Sequence, residues 1–251
     1  MPDPTPEAPP RRGTPYAVPP GGSLGLLAYG YRGLEAWRAA RGTAWLEAFE
    51  RPPASGEAVA SGAEVVVVTG LPRAGTSLVM QMVEAAGVPP FTDGTREADP
   101  SNPRGYYEHE RIKKLPRDTD WLPDADGHAV KVVAPLLPGL PSGPTYRVIL
   151  VERDLDEVLR SQTAMLARSG RAPASAEDLR AVYARYVRAA RAWAGTHAET
   201  LTLHHGDILR EPLAAARALC AFLASDDGAA PEADPVAVAT VVDPSLHRQR
   251  A

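Results

Sequence analysis

An apolar run that stops at a glycine and restarts as a helix leaves a chain few ways to fold. Residues 63–80, AEVVVVTGLPRAGTSLVM, have that form. Val65 to Val68 form a continuous run with no polar alternation, which predicts a strand buried on both faces. Gly70 opens a tight loop, and a helical pattern resumes at Ser77. A strand, a glycine loop and a helix start together make an anion cradle. Backbone N–H groups and the positive end of the helix dipole converge on one point, where a phosphate oxygen can sit.

The spacing Gly70-x4-Gly75 meets the first part of a Walker A loop, but Thr76 stands where that motif needs lysine. The cation lies inside the loop instead, at Arg73. Without a lysine spanning β- and γ-phosphates, a nucleoside triphosphate fits poorly, and a single 5′-phosphate fits better. A second buried-strand run, Val148 to Val151, ends in Glu152-Arg153-Asp154. The helix that follows has its apolar face at Leu155, Val158, Leu159, Thr163 and Leu166, and Asp154 or Asp156 can cap its start. Arg153 thus falls at the C-terminal end of a strand, where open α/β sheets place their ligands. Ser161 lies about two turns into the helix. A guanidinium and a hydroxyl suit a phosphate, one giving charge-assisted bonds and the other a neutral donor. Between the two runs, residues 128–135 read as a short strand ending at Pro135 and carrying Lys131.

The hexapeptide Pro72-Arg73-Ala74-Gly75-Thr76-Ser77 resembles the 5′-phosphosulfate loop of the sulfotransferases, and the Arg153…Ser161 pair resembles their 3′-phosphate grip. The resemblance covers roughly residues 63–225. It implies a P-loop-type α/β enzyme that moves a sulfuryl group from 3′-phosphoadenosine 5′-phosphosulfate (PAPS) to an acceptor hydroxyl or amine. Adenosine 3′,5′-bisphosphate (PAP) would be the product, and no metal would be needed. Gly70, Pro72, Arg73, Ala74, Gly75, Thr76 and Ser77 would bind the donor's 5′ side, and Arg153 and Ser161 its 3′-phosphate. Arg73 and Lys131 would meet the transferring group. Val133 stands where some branches carry a histidine base, so the base must come from elsewhere.

Asn102-Pro103-Arg104-Gly105-Tyr106-Tyr107-Glu108 resembles an Asn-Pro-[RK]-Gly-[YFW]-x-Glu stretch of bacterial relatives. Glu108 is the base it implies, placed in the first turn of a helix running toward Leu115. A first-turn glutamate also steadies a helix dipole without any chemistry, and Asp93 and Glu97 compete for the same role. His109 and Glu110 read as the solvated side of this acidic cluster. Other branches stack an aromatic on adenine where Leu78 stands, and close the 3′-phosphate site with a late basic segment. Arg248 or Arg250 could replace that segment, although a frayed tail fits the pattern better.

Alternating strands and helices argue for a parallel, doubly wound sheet. Residues 1–22 read as a proline-rich disordered tail, 23–62 as an amphipathic helical extension and linker, and 63–251 as the α/β domain. The 251 residues are 44% hydrophobic and can bury one core. A net charge of −4 argues against nucleic acid as a partner. Cys220, alone, reads as a core residue. Neither a signal core nor a membrane span is evident, which makes cytoplasmic the expected location. The acceptor is expected to be a small molecule or glycan, and a homodimer stays open. Two other readings stand beside the transferase: a non-catalytic adenosine-bisphosphate-binding protein, and a P-loop kinase or NTPase.

Overall fold

The computed structural model describes residues 62–95, 102, 105–168, 176–224 and 233–243. The expected tail at 1–22 and, apart from Gly62, the extension at 23–62 lie outside the described residues. So do Glu97, Pro103, Arg104, Arg248 and Arg250.

Four strands form: β1 (Glu64–Gly70), β2 (Ala129–Val133), β3 (Thr145–Glu152) and β4 (Glu199–His204). They lie in the order β2-β1-β3-β4, and every neighbouring pair is parallel. Six helices accompany them among the described residues: α1 (Thr76–Ala85), α2 (Leu155–Arg168), α3 (Ala176–His197), α4 (His205–Arg210), α5 (Pro212–Leu223) and α6 (Pro235–Thr240). The fold is α/β with helices on both faces of a parallel sheet.

The valines of β1 divide between two cores. Val65 and Val67 join side chains of α2 and α3, while Val66 and Val68 join those of α1 and α5. Burial on both faces is why the run carries no polar alternation. From β1 the chain crosses to β2 on one side, then returns past β1 to β3 on the other. The crevice beyond the C-terminal ends of β1 and β3 is therefore a topological switch point. Gly70 is paired with Val151 there, so the loop after β1 and Arg153 open into the same crevice.

Several expectations are corrected. The strand β2 stops at Val133, because Pro135 has no N–H for a ladder and instead starts a 3-10 helix over Ala134–Gly139. No helix runs from Glu108 to Leu115; a single 3-10 turn, Ile112–Lys114, is all that forms. Gly105 and Tyr107 hold φ of 88° and 53°, which a right-handed helix cannot contain. His109 is not on the solvated side: its ring stacks on Phe91 with centroids 4.6 Å apart. Cys220 is half-buried rather than core, though burial still pushes its thiol pKa up.

Candidate active site

The loop after β1 is built by its backbone. Ala74 N–H donates to the Leu71 carbonyl at 3.0 Å, and Gly75 caps α1 with φ 103°. Among the described residues no side chain caps that helix start, which leaves its first N–H groups for a ligand. A Cβ on Gly70 would stand 2.6 Å from the Val151 carbonyl oxygen, and one on Gly75 would stand 2.5 Å from the His205 ring. Both glycines are therefore dictated by close approach. Ala74 and Thr76 are buried, while Pro72, Arg73 and Ser77 are half-buried.

Arg153 reaches across the switch point to this loop. Its Nη1 donates to the Arg73 carbonyl at 3.1 Å, and its Nε donates to Glu157 at 2.8 Å. The side chain is only 8% exposed, yet its Nη2 has no hydrogen-bond partner among the described residues. An unpaired donor on a buried cation costs about 1–3 kcal/mol or more, so an anion placed here would be held strongly. Ser161 meets Arg73 rather than Arg153: the Arg73 Nε donates to Ser161 Oγ at 3.1 Å. Arg73, Arg153 and Ser161 thus form one chain of contacts, with Asp154 capping α2 by accepting from the Asp156 and Glu157 N–H groups.

Lys131 lies on β2 with its side chain on the α1 face of the sheet. Its Nζ donates to Ser77 Oγ at 3.0 Å and to the Tyr106 carbonyl at 2.6 Å. Asn102 Nδ2 donates to the same Ser77 Oγ at 2.9 Å and also to the Gly105 carbonyl. The Asn102–Glu108 segment is thereby stitched to the cradle.

Glu108 stands two residues beyond Tyr106, a span of at most about 7 Å. Its carboxylate pairs with Lys113 at 3.0 Å, and Lys113 also holds Glu110 at 2.6 Å. Burial opposes the Lys113 charge, but hydrogen bonds and attraction from Glu110 and Glu108 raise its pKa above the usual value. Asp93 is different. Burial pushes its pKa up, but the Glu110 N–H, the Thr95 N–H and hydroxyl, and His109 outweigh burial and hold it at about 2. A carboxylate so committed is a poor proton acceptor at neutral pH. Among the described residues, no cluster of three or more His, Cys, Asp or Glu side chains could hold a metal ion. No described helix is long and apolar enough to cross a membrane.

Residues 106–227 match the family model described as the sulfotransferase family. That segment is similar to the sulfotransferase family. It carries Glu108, Lys131, Arg153 and Ser161, while the loop around Arg73 precedes it. The assignment supports a sulfotransfer-type function. Among solved structures, the chain is similar to "Sulfotransferase Domain from the Curacin Biosynthetic Pathway", at 14% identity and a TM-score of 0.42. The likeness covers 75% of this chain and 90% of that one. No curated protein matches the chain.

Three contributors escaped the sequence reading. Glu157 sits four residues after Arg153, in the first turn of α2, and pairs with it. Asn102 belonged to a quoted motif without a role, and nothing local shows that its amide reaches Ser77. His205 is buried with its ring against Gly75, a contact that follows from β4 lying beside β3, next but one to β1.

Proposed function

We propose that this protein transfers a sulfuryl group from PAPS to a hydroxyl or amine of a small-molecule or glycan acceptor, releasing PAP. The observation that carries the reading is the buried Arg153 guanidinium, whose Nη2 has no hydrogen-bond partner among the described residues and whose Nη1 is tied to the loop leading into a helix start without a side-chain cap. Two anion-binding features on adjacent strand ends suit a ligand with two separate phosphates better than one with a polyphosphate chain.

In this reading Gly70, Pro72, Ala74 and Gly75 shape the loop, while Thr76, Ser77 and the loop N–H groups hold the 5′-phosphate. Arg153 and Ser161 hold the 3′-phosphate. The acceptor oxygen forms a bond to sulfur as the bond between sulfur and the 5′-phosphate oxygen breaks. The electron pair stays on that phosphate oxygen, where Arg73 and Lys131 offset the growing charge. Glu108 takes the acceptor proton; Asp93 serves the loop instead. Two side-chain cations here take the place that magnesium has in phosphoryl transfer, so the scheme uses no metal. Residues 63–251 form the transferase domain in this scheme, with 1–22 a tail and 23–62 a helical extension.

A binding protein without transfer is the second reading, and Val133 favours it, since it is packed on the core where other branches place a base. Calorimetry with adenosine 3′,5′-bisphosphate in the absence of magnesium tests the donor site. Micromolar binding that is lost in Arg153→Ala supports it. No wild-type binding, with ATP–magnesium bound instead, would move the protein to phosphoryl transfer. Binding without transfer to any acceptor would favour the second reading.

A further inference from the structure

The hydroxyl of Ser77 is more constrained than its place in the loop requires. A serine hydroxyl has one proton to donate and two lone pairs to accept with. The Lys131 ammonium can only donate, and it gives one hydrogen bond to Ser77 Oγ at 3.0 Å. The Asn102 amide could in principle present either its oxygen or its nitrogen. Its contact with Gly105 decides which, because that carbonyl can only accept and therefore needs the Nδ2 side. The bond from Asn102 to Ser77, at 2.9 Å, must then also be a donation from Nδ2. Both lone pairs of Ser77 Oγ are occupied, and its proton is left to point away from Lys131 and Asn102.

We propose that Asn102 is a positioning residue that turns Ser77 into a one-way donor, its O–H aimed at the anion in the loop. The inference rests on the donor-binding reading above and extends it to a residue outside the loop and outside the 106–227 match. The same amide fixes the Gly105 end of the segment that carries Glu108, so the state of the loop and the place of the acceptor side are joined through one hydroxyl. Without Asn102, Ser77 regains a vacant lone pair and its proton can swing toward other acceptors. Part of its preorganisation is then lost.

The test is a cycle of Asn102→Ala and Ser77→Ala, read by calorimetry with adenosine 3′,5′-bisphosphate and by thermal unfolding of each variant. Ser77→Ala is expected to weaken binding about tenfold, the scale of one lost hydrogen bond to a charged group. Asn102→Ala is expected to weaken it about threefold or more when Ser77 is present, and to have no effect when Ala already stands at 77. Equal losses in both backgrounds, or no loss in either, would overturn the inference while leaving the donor site intact. Failure of the wild type to bind would sink the parent reading and this inference together. If Asn102→Ala does not fold, Asn102→Leu keeps the shape and removes the donor without adding charge, and the same dependence on Ser77 is expected.

Discussion

Arg153 donates from its guanidinium to the backbone carbonyl of Arg73, 80 residues earlier in the chain, at 3.1 Å. The contact ties the tip of the anion loop to the end of the neighbouring strand. With Glu157 on Nε, it fixes the guanidinium plane so that Nη2 is the edge left for a ligand.

That arrangement needs a fork. Lys at 153 keeps the charge but has one nitrogen to share among Glu157, the Arg73 carbonyl and an anion. Arg153→Lys is expected to weaken adenosine 3′,5′-bisphosphate about tenfold or more in calorimetry, nearly as much as alanine.

The two loop glycines differ in what an added methyl meets. At Gly70 it meets the Val151 carbonyl at 2.6 Å, which is backbone in the middle of the sheet and cannot move aside. At Gly75 it meets the His205 ring at 2.5 Å and must also adopt φ 103°. Each alanine variant is expected to lose about 2 kcal/mol or more in denaturant unfolding. Adding His205→Ala should recover part of the Gly75→Ala loss and none of the Gly70→Ala loss.

Asp93 gives a pH signature. Its pKa falls from 3.8 to about 2 in the folded chain, so its contribution to stability is present above the unfolded value. That contribution is lost as pH drops from about 4 toward 2. Asp93→Asn is expected to lower the melting temperature at neutral pH and to flatten its fall across this acid window. A wild-type slope unchanged by the substitution would contradict the account.

Glu108→Gln separates binding from chemistry. The carboxylate pairs with Lys113 at 3.0 Å. PAP affinity is expected to stay near wild type, while the transfer rate falls about 10²–10⁴-fold, the usual contribution of a general base. Loss of both together would make Glu108 a structural residue.

The strands and the cradle were legible because their signals are local. Four consecutive valines, a glycine at each end of the loop and an arginine after the second apolar run need no knowledge of the rest of the chain. Glu108 could be found but not placed. In place of its expected helix, Tyr107 takes a left-handed φ and Asp93 claims the Glu110 N–H, a contact between two loops distant in sequence. Asn102 on Ser77 and His205 on Gly75 were invisible for the same reason. Each joins segments that only the completed sheet brings together. Glu157 was within reach, since it stands four residues after Arg153, in the first turn of the helix expected to follow.

The parallel pairing of β1 with β3 carries a kinetic consequence. Parallel neighbours cannot close as a hairpin; the intervening chain, β2 included, must be laid down before Gly70 finds Val151. The anion site is therefore assembled from contacts of high sequence separation and has no precursor in any short fragment. A ligand that bridges the two strand ends would bind only the finished sheet and raise the unfolding temperature in proportion to the logarithm of its concentration. Occupancy then doubles as a gauge of cooperative folding, so a peptide spanning the loop alone should stay silent in the same titration.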